Sequence, residues 1–331
     1  MGKCGEIVIR RVLSANSLTK NVNKGVKIMY TKLENGAVWH DTAGKTIHAH
    51  GGHMLFKDGY YYWYGENRTG DNYVSCYRSE DLMNWEFRNN ILTINSQTEK
   101  TRVRTDSSLK NEESRNGKVN LERPKVLFNA KTKKYVLWIH YENGKDYHSA
   151  ACAIATCDTP DGDFIYHGSF NPFGYMSRDC TLYQDDDGTA YFISAARDNA
   201  DMHVYRLADD YMNAECLVHK LWQGEYREAP SVFKRGGKYY MFTSFCTGWA
   251  PNQCKYATSD GIESRWSIKT NIGDDTTYRT QPAFFLKIAG SKTESYIYIS
   301  DRWDGKNYDN SRYVFLHVTF DDAGNPIMDY C

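Results

Sequence analysis

Five polar residues that could carry acid–base chemistry occupy equivalent positions in five segments of the chain. They are His50, Glu122, Asp179, Glu228 and Gln281. The first, third and fourth each precede the glycine of a predicted turn by nine residues, and the other two match them by the proline that closely follows. Two carboxyl groups that share a pit are what glycoside hydrolysis requires, with one of them kept protonated to act on the leaving oxygen.

The predicted general acid in this set is Glu228, and Asp179 is the neighbouring carboxylate that raises its pKa and orients it. Buried carboxylates are costly unless they are paired or used in chemistry. The alternative interpretation is structural, with each acid paired to a nearby arginine. Successive side chains of a strand point to opposite faces, so we expect that an arginine adjacent to an acid does not neutralise it. The arginines in question are Arg123, Arg178, Arg227 and Arg279.

The segments that carry these residues share one plan, which predicts a β-hairpin in each. An apolar strand leads into a turn and then an aromatic strand, with Asp58-Gly59, Asp187-Gly188 and Gly236-Gly237 as turn signals. A third strand and usually a fourth follow, and the plan recurs about every 50 residues, as is typical of propeller blades. The innermost strand of a blade lines the central axis, so the five polar residues are expected to ring one mouth of the funnel.

The sequence therefore predicts an all-β fold, a five-bladed β-propeller over residues 35–331. Residues 1–34 are expected to close the ring, and residues 88–120 to form a polar surface loop. Helical periodicity is almost absent from the chain.

Composition narrows the class of partner. Lysine plus arginine and aspartate plus glutamate both total 41 in 331 residues, so there is no basic field for nucleic acid or an anionic membrane. The 26 tyrosines and 8 tryptophans fit either β-propensity alone or surfaces for sugar rings. We expect a monomer that binds an oligosaccharide or polysaccharide.

The histidines of "HAHGGH" invite a metal site, but this stretch offers too few ligands. The nine cysteines are scattered, without two pairs at zinc spacing. We therefore expect no metal or other cofactor, and a structural ion on the propeller axis is the one alternative. The chain has no apolar run of membrane-spanning length, and its first 30 residues lack a signal-peptide core, which leaves localisation open.

Three motifs, "SRDCTLYQDDDGTAYF", "YREAPSVFKRGGKYYMFTS" and "SEDLMNW", resemble glycoside hydrolase family 43, whose members are five-bladed propellers acting on arabinan, xylan and galactan side chains. The resemblance extends over nearly the whole chain from about residue 35. It implies that Asp179 modulates the acid and that Glu228 is the acid. The usual base of the family is an aspartate in blade one, and His50 stands in its place here.

The stretches "HAHGG", "ERPKV", "YREAP" and "TGWAPNQ" resemble the exo-β-1,3-galactanase branch, which also lacks that aspartate. This resemblance implies roles in water activation for Glu122 and Gln281. A glutamine can act as a base only through a rare imidic-acid tautomer. The resemblance also implies that a sugar pocket is lined by Arg123, Tyr141, Thr247 and Trp249. His50 is a further predicted substrate-binding residue.

The expected activity is thus that of an inverting exo-glycosidase acting on β-1,3-galactan or arabinogalactan, from a secreted or periplasmic protein as the family implies. Two alternatives remain at this point. One is an α-L-arabinofuranosidase of the same family, which differs only in the shape of its pocket. The other is a carbohydrate-binding propeller that lost catalysis together with its aspartate base.

Overall fold

Twenty β-strands make up five antiparallel sheets in the computed structural model, which describes residues 27–101, 108–289 and 294–330. Blade one comprises β1 (His50–Lys57), β2 (Tyr60–Glu66), β3 (Asn72–Ser79) and β4 (Glu86–Thr93). Blade two comprises β5 (Asn120–Asn129), β6 (Lys134–Glu142), β7 (Ala151–Cys157) and β8 (Ile165–Phe170). Blade three comprises β9 (Cys180–Gln184), β10 (Ala190–Ala196), β11 (Asp201–Leu207) and β12 (Ala214–Leu221).

Blade four comprises β13 (Arg227–Arg235), β14 (Lys238–Phe245), β15 (Lys255–Ser259) and β16 (Thr270–Asn271). Blade five comprises β17 (Gln281–Ala289), β18 (Glu294–Arg302), β19 (Arg312–Phe320) and β20 (Pro326–Met328). Two 3₁₀ turns, Pro172–Gly174 and Tyr308–Asn310, are the helical elements of the described residues. Neither they nor any other described helix has the length and apolar character needed to cross a membrane.

The five sheets form a closed ring. Within each sheet the strands pair in chain order, so each blade is one consecutive stretch of sequence. The inner strands β1, β5, β9, β13 and β17 contact one another in turn, and β17 returns to β1. The predicted five-bladed β-propeller is confirmed.

The predicted hairpin turns follow from their residues. Asp58-Gly59 and Gly236-Gly237 are two-residue connections with positive φ at both positions, the geometry that matches the twist of paired strands. Gly188 also has positive φ, but it lies in a five-residue connection that spans residues 185–189. There the Asp185 carbonyl accepts a hydrogen bond from the Gly188 amide, at 3.0 Å.

One strand boundary differs from the prediction, and one outer strand is short. Strand β4 continues to Thr93, so residues 88–93 are not part of the surface loop that was expected over residues 88–120. The physical reason is that Ile91 and Leu92 are fully buried in the hydrophobic cluster between blades one and two. In blade four the outer strand is reduced to the pair Thr270–Asn271, and Trp266 before it is buried in the core.

The segment before β1 links the two ends of the ring. The Asn35 side chain exchanges hydrogen bonds with the backbone of Phe315 in blade five, both at 2.8 Å. Trp39 packs against Phe315 and against Trp63 of blade one. Residues 1–26 lie outside the described part of the chain, so the expectation that residues 1–34 close the ring stays a prediction.

An irregularity recurs where the inner strands begin. The pairing register shifts just after the site position in β1, β5, β13 and β17. In three of these strands the residue after the site position has a left-handed backbone, with φ of 58° at Gly51, 58° at Arg123 and 50° at Ala229. A bulge of this kind bends a strand and redirects its side chains, and it occurs preferentially next to active sites.

Candidate active site

The guanidinium group of Arg123 joins three blades at the mouth of the funnel. Arg123 Nη2 lies 3.0 Å from Asp179 Oδ2 of blade three. The same nitrogen donates to Gln281 Oε1 of blade five, and Nη1 donates to the Pro282 carbonyl at 3.0 Å. The Arg123 backbone amide donates to Glu66 Oε1 of blade one, at 3.0 Å. The left-handed backbone of a buried non-glycine residue costs on the order of 1–3 kcal/mol, a strain typical of functional sites.

Glu228 lies beside this arginine and is held by two amide groups. Gln281 Nε2 donates to Glu228 Oε1 at 2.9 Å, and Asn199 Nδ2 donates to Oε2 at 3.2 Å. Burial raises the pKa of the Glu228 carboxyl to about 7, and the nearby charge of Asp179 contributes to that rise, while Arg123 opposes it. A carboxyl group with this pKa is mostly protonated below pH 7, as a general acid must be.

Glu122 is held in the opposite protonation state. Its Oε1 accepts hydrogen bonds from Arg68 at 3.0 Å and from the Tyr147 hydroxyl at 2.8 Å. Its Oε2 lies 3.4 Å from Nδ1 of His140. Burial alone would raise the pKa of Glu122, but the charge of Arg68 and the contacts with His140 and Tyr147 outweigh burial and hold it well below its usual range. The site therefore contains one carboxyl group favoured as acid and another fixed as carboxylate.

The His50 imidazole is paired with a carboxylate of blade five, Asp301. Its Nδ1 lies 2.7 Å from Asp301 Oδ1, while Asp301 Oδ2 accepts from the Gly51 amide at 2.9 Å. The imidazole stacks on Tyr313, with ring centroids 4.4 Å apart. His53 points elsewhere, against Phe284, and burial lowers its pKa to about 3. Within residues 27–101, 108–289 and 294–330, no group of three His, Cys, Asp or Glu side chains is placed to hold a metal ion.

The arginines beside the ring do not pair with the adjacent acid of their own strand, as expected. Arg123 binds Asp179 of the next blade, and Arg178 binds Asp198 at 3.0 Å. Arg227 donates to the hydroxyl of Thr243 at 3.0 Å. The structural alternative nevertheless holds in part, because Asp179 and Glu122 both have an arginine partner. Glu228 is bound by amides instead.

The loop after β14 forms one wall of a pocket next to Gln281. Segments 248–252, 279–281 and 301–303 line this pocket. The Thr247 hydroxyl braces the loop by donating to the Ala250 carbonyl at 2.6 Å and accepting from Asn252 at 2.7 Å. Trp249 remains 47% exposed, with its ring edge against another tryptophan of the wall, Trp303, at 5.7 Å. An exposed indole at the rim of a polar pit is a suitable surface for a sugar ring.

Comparisons with known proteins agree with this geometry. A family model described as "Glycosyl hydrolases family 43" matches residues 53–281, a stretch that contains Glu122, Asp179 and Glu228 and ends at Gln281. The chain belongs to glycosyl hydrolases family 43. A comparison with curated protein sequences gives no match.

Several solved structures of the family are similar to the chain. An exo-β-1,3-galactanase from Clostridium thermocellum is 45% identical over 90% of this chain and 65% of its own, with a TM-score of 0.82. A β-1,3-galactosidase with galactodeoxynojirimycin is 31% identical over 90% of this chain and 99% of its own, with a TM-score of 0.78. An exo-β-1,3-galactanase from Phanerochaete chrysosporium with galactose is 34% identical, over 90% and 67%, with a TM-score of 0.79. The chain thus spans about two thirds of each galactanase, 65% and 67%.

One predicted pocket residue of this family 43 chain lies in a different environment. Tyr141 is buried in the hydrophobic cluster between blades one and two, together with Tyr73 and Leu121. The tyrosine whose hydroxyl reaches the polar ring is Tyr147, six residues later, through its bond to Glu122. A role for Tyr141 in sugar binding stays a prediction.

Sequence reasoning missed a second layer of polar residues on the neighbouring strands. In four blades the residue paired with the ring position is polar and buried: Glu66 opposite His50, His140 opposite Glu122, Ser244 opposite Glu228 and Asp301 opposite Gln281. Each hydrogen-bonds or pairs with a ring residue or its neighbour. A count of residues from the hairpin turn would not have found these partners, because the bulge in each inner strand shifts the pairing by one residue.

Proposed function

We propose that this chain is an inverting glycosidase that releases galactose from the non-reducing end of β-1,3-galactan, with an oligosaccharide or polysaccharide as its substrate. The family and the activities of the three similar proteins support the sugar and the linkage. That the chain works as a monomer, without a cofactor, a nucleic acid or a membrane, stays a prediction.

The observation that carries the proposal is the environment of Glu228. It is 8% exposed, with a pKa raised to about 7, beside Asp179. In an inverting reaction this group protonates the departing glycosidic oxygen while a water attacks from the opposite face of the sugar. A propeller that only binds sugar has no need for a carboxyl group tuned in this way.

We assign Glu122 to the attacking water, and a role for Gln281 in activating that water stays a prediction. The Gln281 amide has its oxygen occupied by Arg123 and by Trp303 Nε1, the latter at 2.7 Å, so its orientation is fixed. Its Nε2 contacts Glu228, which places it on the acid's side of the pit. Glu122 carries the full negative charge that a base or a water-orienting group needs. In this proposal Gln281 connects the acid to the rest of the ring, and Glu122 orients the water.

Product analysis on β-1,3-galactan and arabinan, run side by side, tests the substrate. We expect galactose from galactan, released first as the α-anomer and seen as such by proton NMR within the first turnovers. Arabinose from arabinan instead would identify an α-L-arabinofuranosidase. Calorimetric binding of galacto-oligosaccharide without any released sugar would identify a non-catalytic carbohydrate-binding propeller.

The role of Asp179 gives a prediction with a definite sign. Glu228 acts as an acid only while it is protonated, so kcat/KM on galactan should fall as the pH rises through about 7. Asp179→Asn removes a negative charge that raises the pKa of Glu228, and it leaves Arg123 unopposed. The alkaline limb of the pH profile should therefore move down by about one pH unit. An alkaline limb that stays in place in the variant would contradict the tuning role.

A further inference from the structure

An imidazole is enclosed between two carboxylates behind the catalytic ring. His140, on β6, is paired across the strands with Glu122, and its Nδ1 lies 3.4 Å from Glu122 Oε2, an ion-pair distance. Its Nε2 lies 2.9 Å from Oε1 of Glu142, which is fully buried. Both ring nitrogens thus face negatively charged oxygens. Only the doubly protonated imidazolium can donate toward both.

The charges around His140 support that protonation state. Burial alone would lower the pKa of His140, but contacts with Glu122 and Glu142 raise it to about 9. A fully buried carboxylate such as Glu142 is costly without a partner. Its Oε2 accepts from the Ala150 amide at 2.9 Å, and Arg178 Nε lies 4.0 Å from its other oxygen.

Glu142 also reaches the opposite side of Glu122 through the chain. Ala150 ends the β6–β7 connection, residues 143–150, in a left-handed conformation with φ of 36°. Within this connection Tyr147 extends its hydroxyl to Glu122 Oε1. Glu142 therefore binds the imidazolium that lies behind Glu122. It also binds the end of the loop whose Tyr147 hydroxyl donates to Glu122.

We infer that His140 and Glu142 are positioning residues for the reaction, which keep Glu122 ionised and oriented toward the pit. The inference rests on the proposed function in one respect only, the assignment of Glu122 to the attacking water. In the part of the chain that the structure describes, neither residue contacts another catalytic group of the ring, so the effect passes through Glu122. A pair that only stabilised the fold would not need to be charged.

The groups that surround His140 and Glu142 come from five elements, so their titrations have to be distinguished from that of His140. Tyr147 contacts Glu122 and lies with its ring 6.1 Å from His140, and Arg68 neutralises the other side of Glu122. The Cys180 thiol, with a pKa raised by burial to about 12, lies against the His140 backbone. The five elements are β5, β6, the β6–β7 connection, the β2–β3 connection, and β9 with the residues that lead into it. They present the charged groups Glu122, Glu142, Arg68 and Arg178, and the neutral phenol of Tyr147.

Nitrogen-15 NMR of the histidine rings in the wild-type protein tests the charge directly and needs no activity. At pH 7 we expect His140 to show protons on both ring nitrogens and to lose one only as the pH rises through about 9. His53 and His203 are matched controls, because burial lowers their pKa values to about 3 and about 4 and keeps them neutral at pH 7. A neutral His140 ring at pH 7 would overturn the inference, whatever the enzyme's substrate.

Kinetics of Glu142→Gln tests the positioning role. With 2,4-dinitrophenyl β-galactoside the leaving group needs no protonation, so ionisation of Glu228 no longer sets the alkaline limb. The wild-type limb should then follow His140 at about pH 9, and in the variant it should fall by about one pH unit or more. We expect kcat to drop about 10²-fold with little change in KM, because a misplaced catalytic group costs that much.

Glu142→Asp keeps the charge and should recover part of the lost kcat. Equal pH profiles and equal kcat in wild type and a folded Glu142→Gln would refute the positioning role. If the variant does not fold, the wild-type limb on the activated substrate decides instead, because a limb that remains at about pH 7 excludes His140. A wild-type chain that hydrolyses no galactoside would refute the proposed function and leave the NMR result to decide the charge of the pair.

Discussion

Replacing Glu228 by glutamine is expected to lower kcat/KM on β-1,3-galactan by about 10²- to 10⁴-fold, the usual contribution of general acid catalysis. The substitution keeps the shape of the side chain and removes only its proton-donating acid. The oxygen of the replacement amide can still accept from Gln281, and its NH2 group can donate to Asn199 once the Asn199 amide turns over to present Oδ1, which has no partner among the described residues. The loss should therefore appear in chemistry rather than in folding, and the unfolding midpoint should change little.

The leaving group supplies the control for this variant. A natural galactan linkage departs as an alkoxide unless it is protonated, whereas dinitrophenolate departs unaided. Glu228→Gln should therefore hydrolyse 2,4-dinitrophenyl β-galactoside at a rate close to that of the wild type, and the alkaline limb near pH 7 should be absent on that substrate. Wild-type turnover of galactan by the variant would rule out Glu228 as the acid. An equal loss on both substrates would indicate a role other than proton donation.

The positions of the ring residues could be predicted from the sequence, because in three blades the ring residue lies the same number of residues before the turn glycine. In β1 and β13 the two-residue turns and the pairing registers are equivalent, so His50 and Glu228 lie at the same height along the inner strand. Asp179 obeys the same count although its hairpin has a longer connection, since the position of Gly188 in that connection preserves the spacing. The alternation of apolar and aromatic strands then specified the blades.

The contacts within the ring were not accessible in the same way. Each bulge inserts one unpaired residue, and in three of the four bulges a left-handed residue rotates the chain by an amount that no periodicity encodes. Arg123 is the clearest case, since its reach to Asp179 and Gln281 depends on that rotation.

The loops that approach the ring were missed for a related reason. Asn199 lies in a connection whose three successive residues, 197–199, all have positive φ, a conformation rarely adopted by non-glycine residues. Tyr147 reaches Glu122 from a loop whose last residue, Ala150, is held by a hydrogen bond from its amide to Glu142. Tertiary contacts set both positions, and the local sequence carries no equivalent signal.

The second prediction with a large expected effect concerns the guanidinium group of Arg123 and the stability of the fold. Arg123→Met keeps an unbranched side chain as far as the position of Nε, removes the guanidinium group, and leaves Asp179 and the Pro282 carbonyl without their shared donor. Removal of one partner from a buried ion pair typically costs about 3–5 kcal/mol, because the other charge stays buried alone. We expect a decrease of that size in the free energy of unfolding, measured by urea titration. Backbone strain at position 123 does not enter the difference, since both residues carry a Cβ.

Arg123→Lys is the matched control, because it keeps the positive charge and loses the planar group that contacts Asp179, Gln281 and the Pro282 carbonyl at once. Its loss of stability should be clearly smaller than that of Arg123→Met. The pH profile of activity provides an independent test, because the direction in which its alkaline limb shifts can be predicted. Arg123 lowers the pKa of Glu228, whereas Asp179 raises it. The alkaline limb should therefore move upward in Arg123→Met, opposite to its shift in Asp179→Asn. Shifts in the same direction would show that the two residues do not act on Glu228 through their charges.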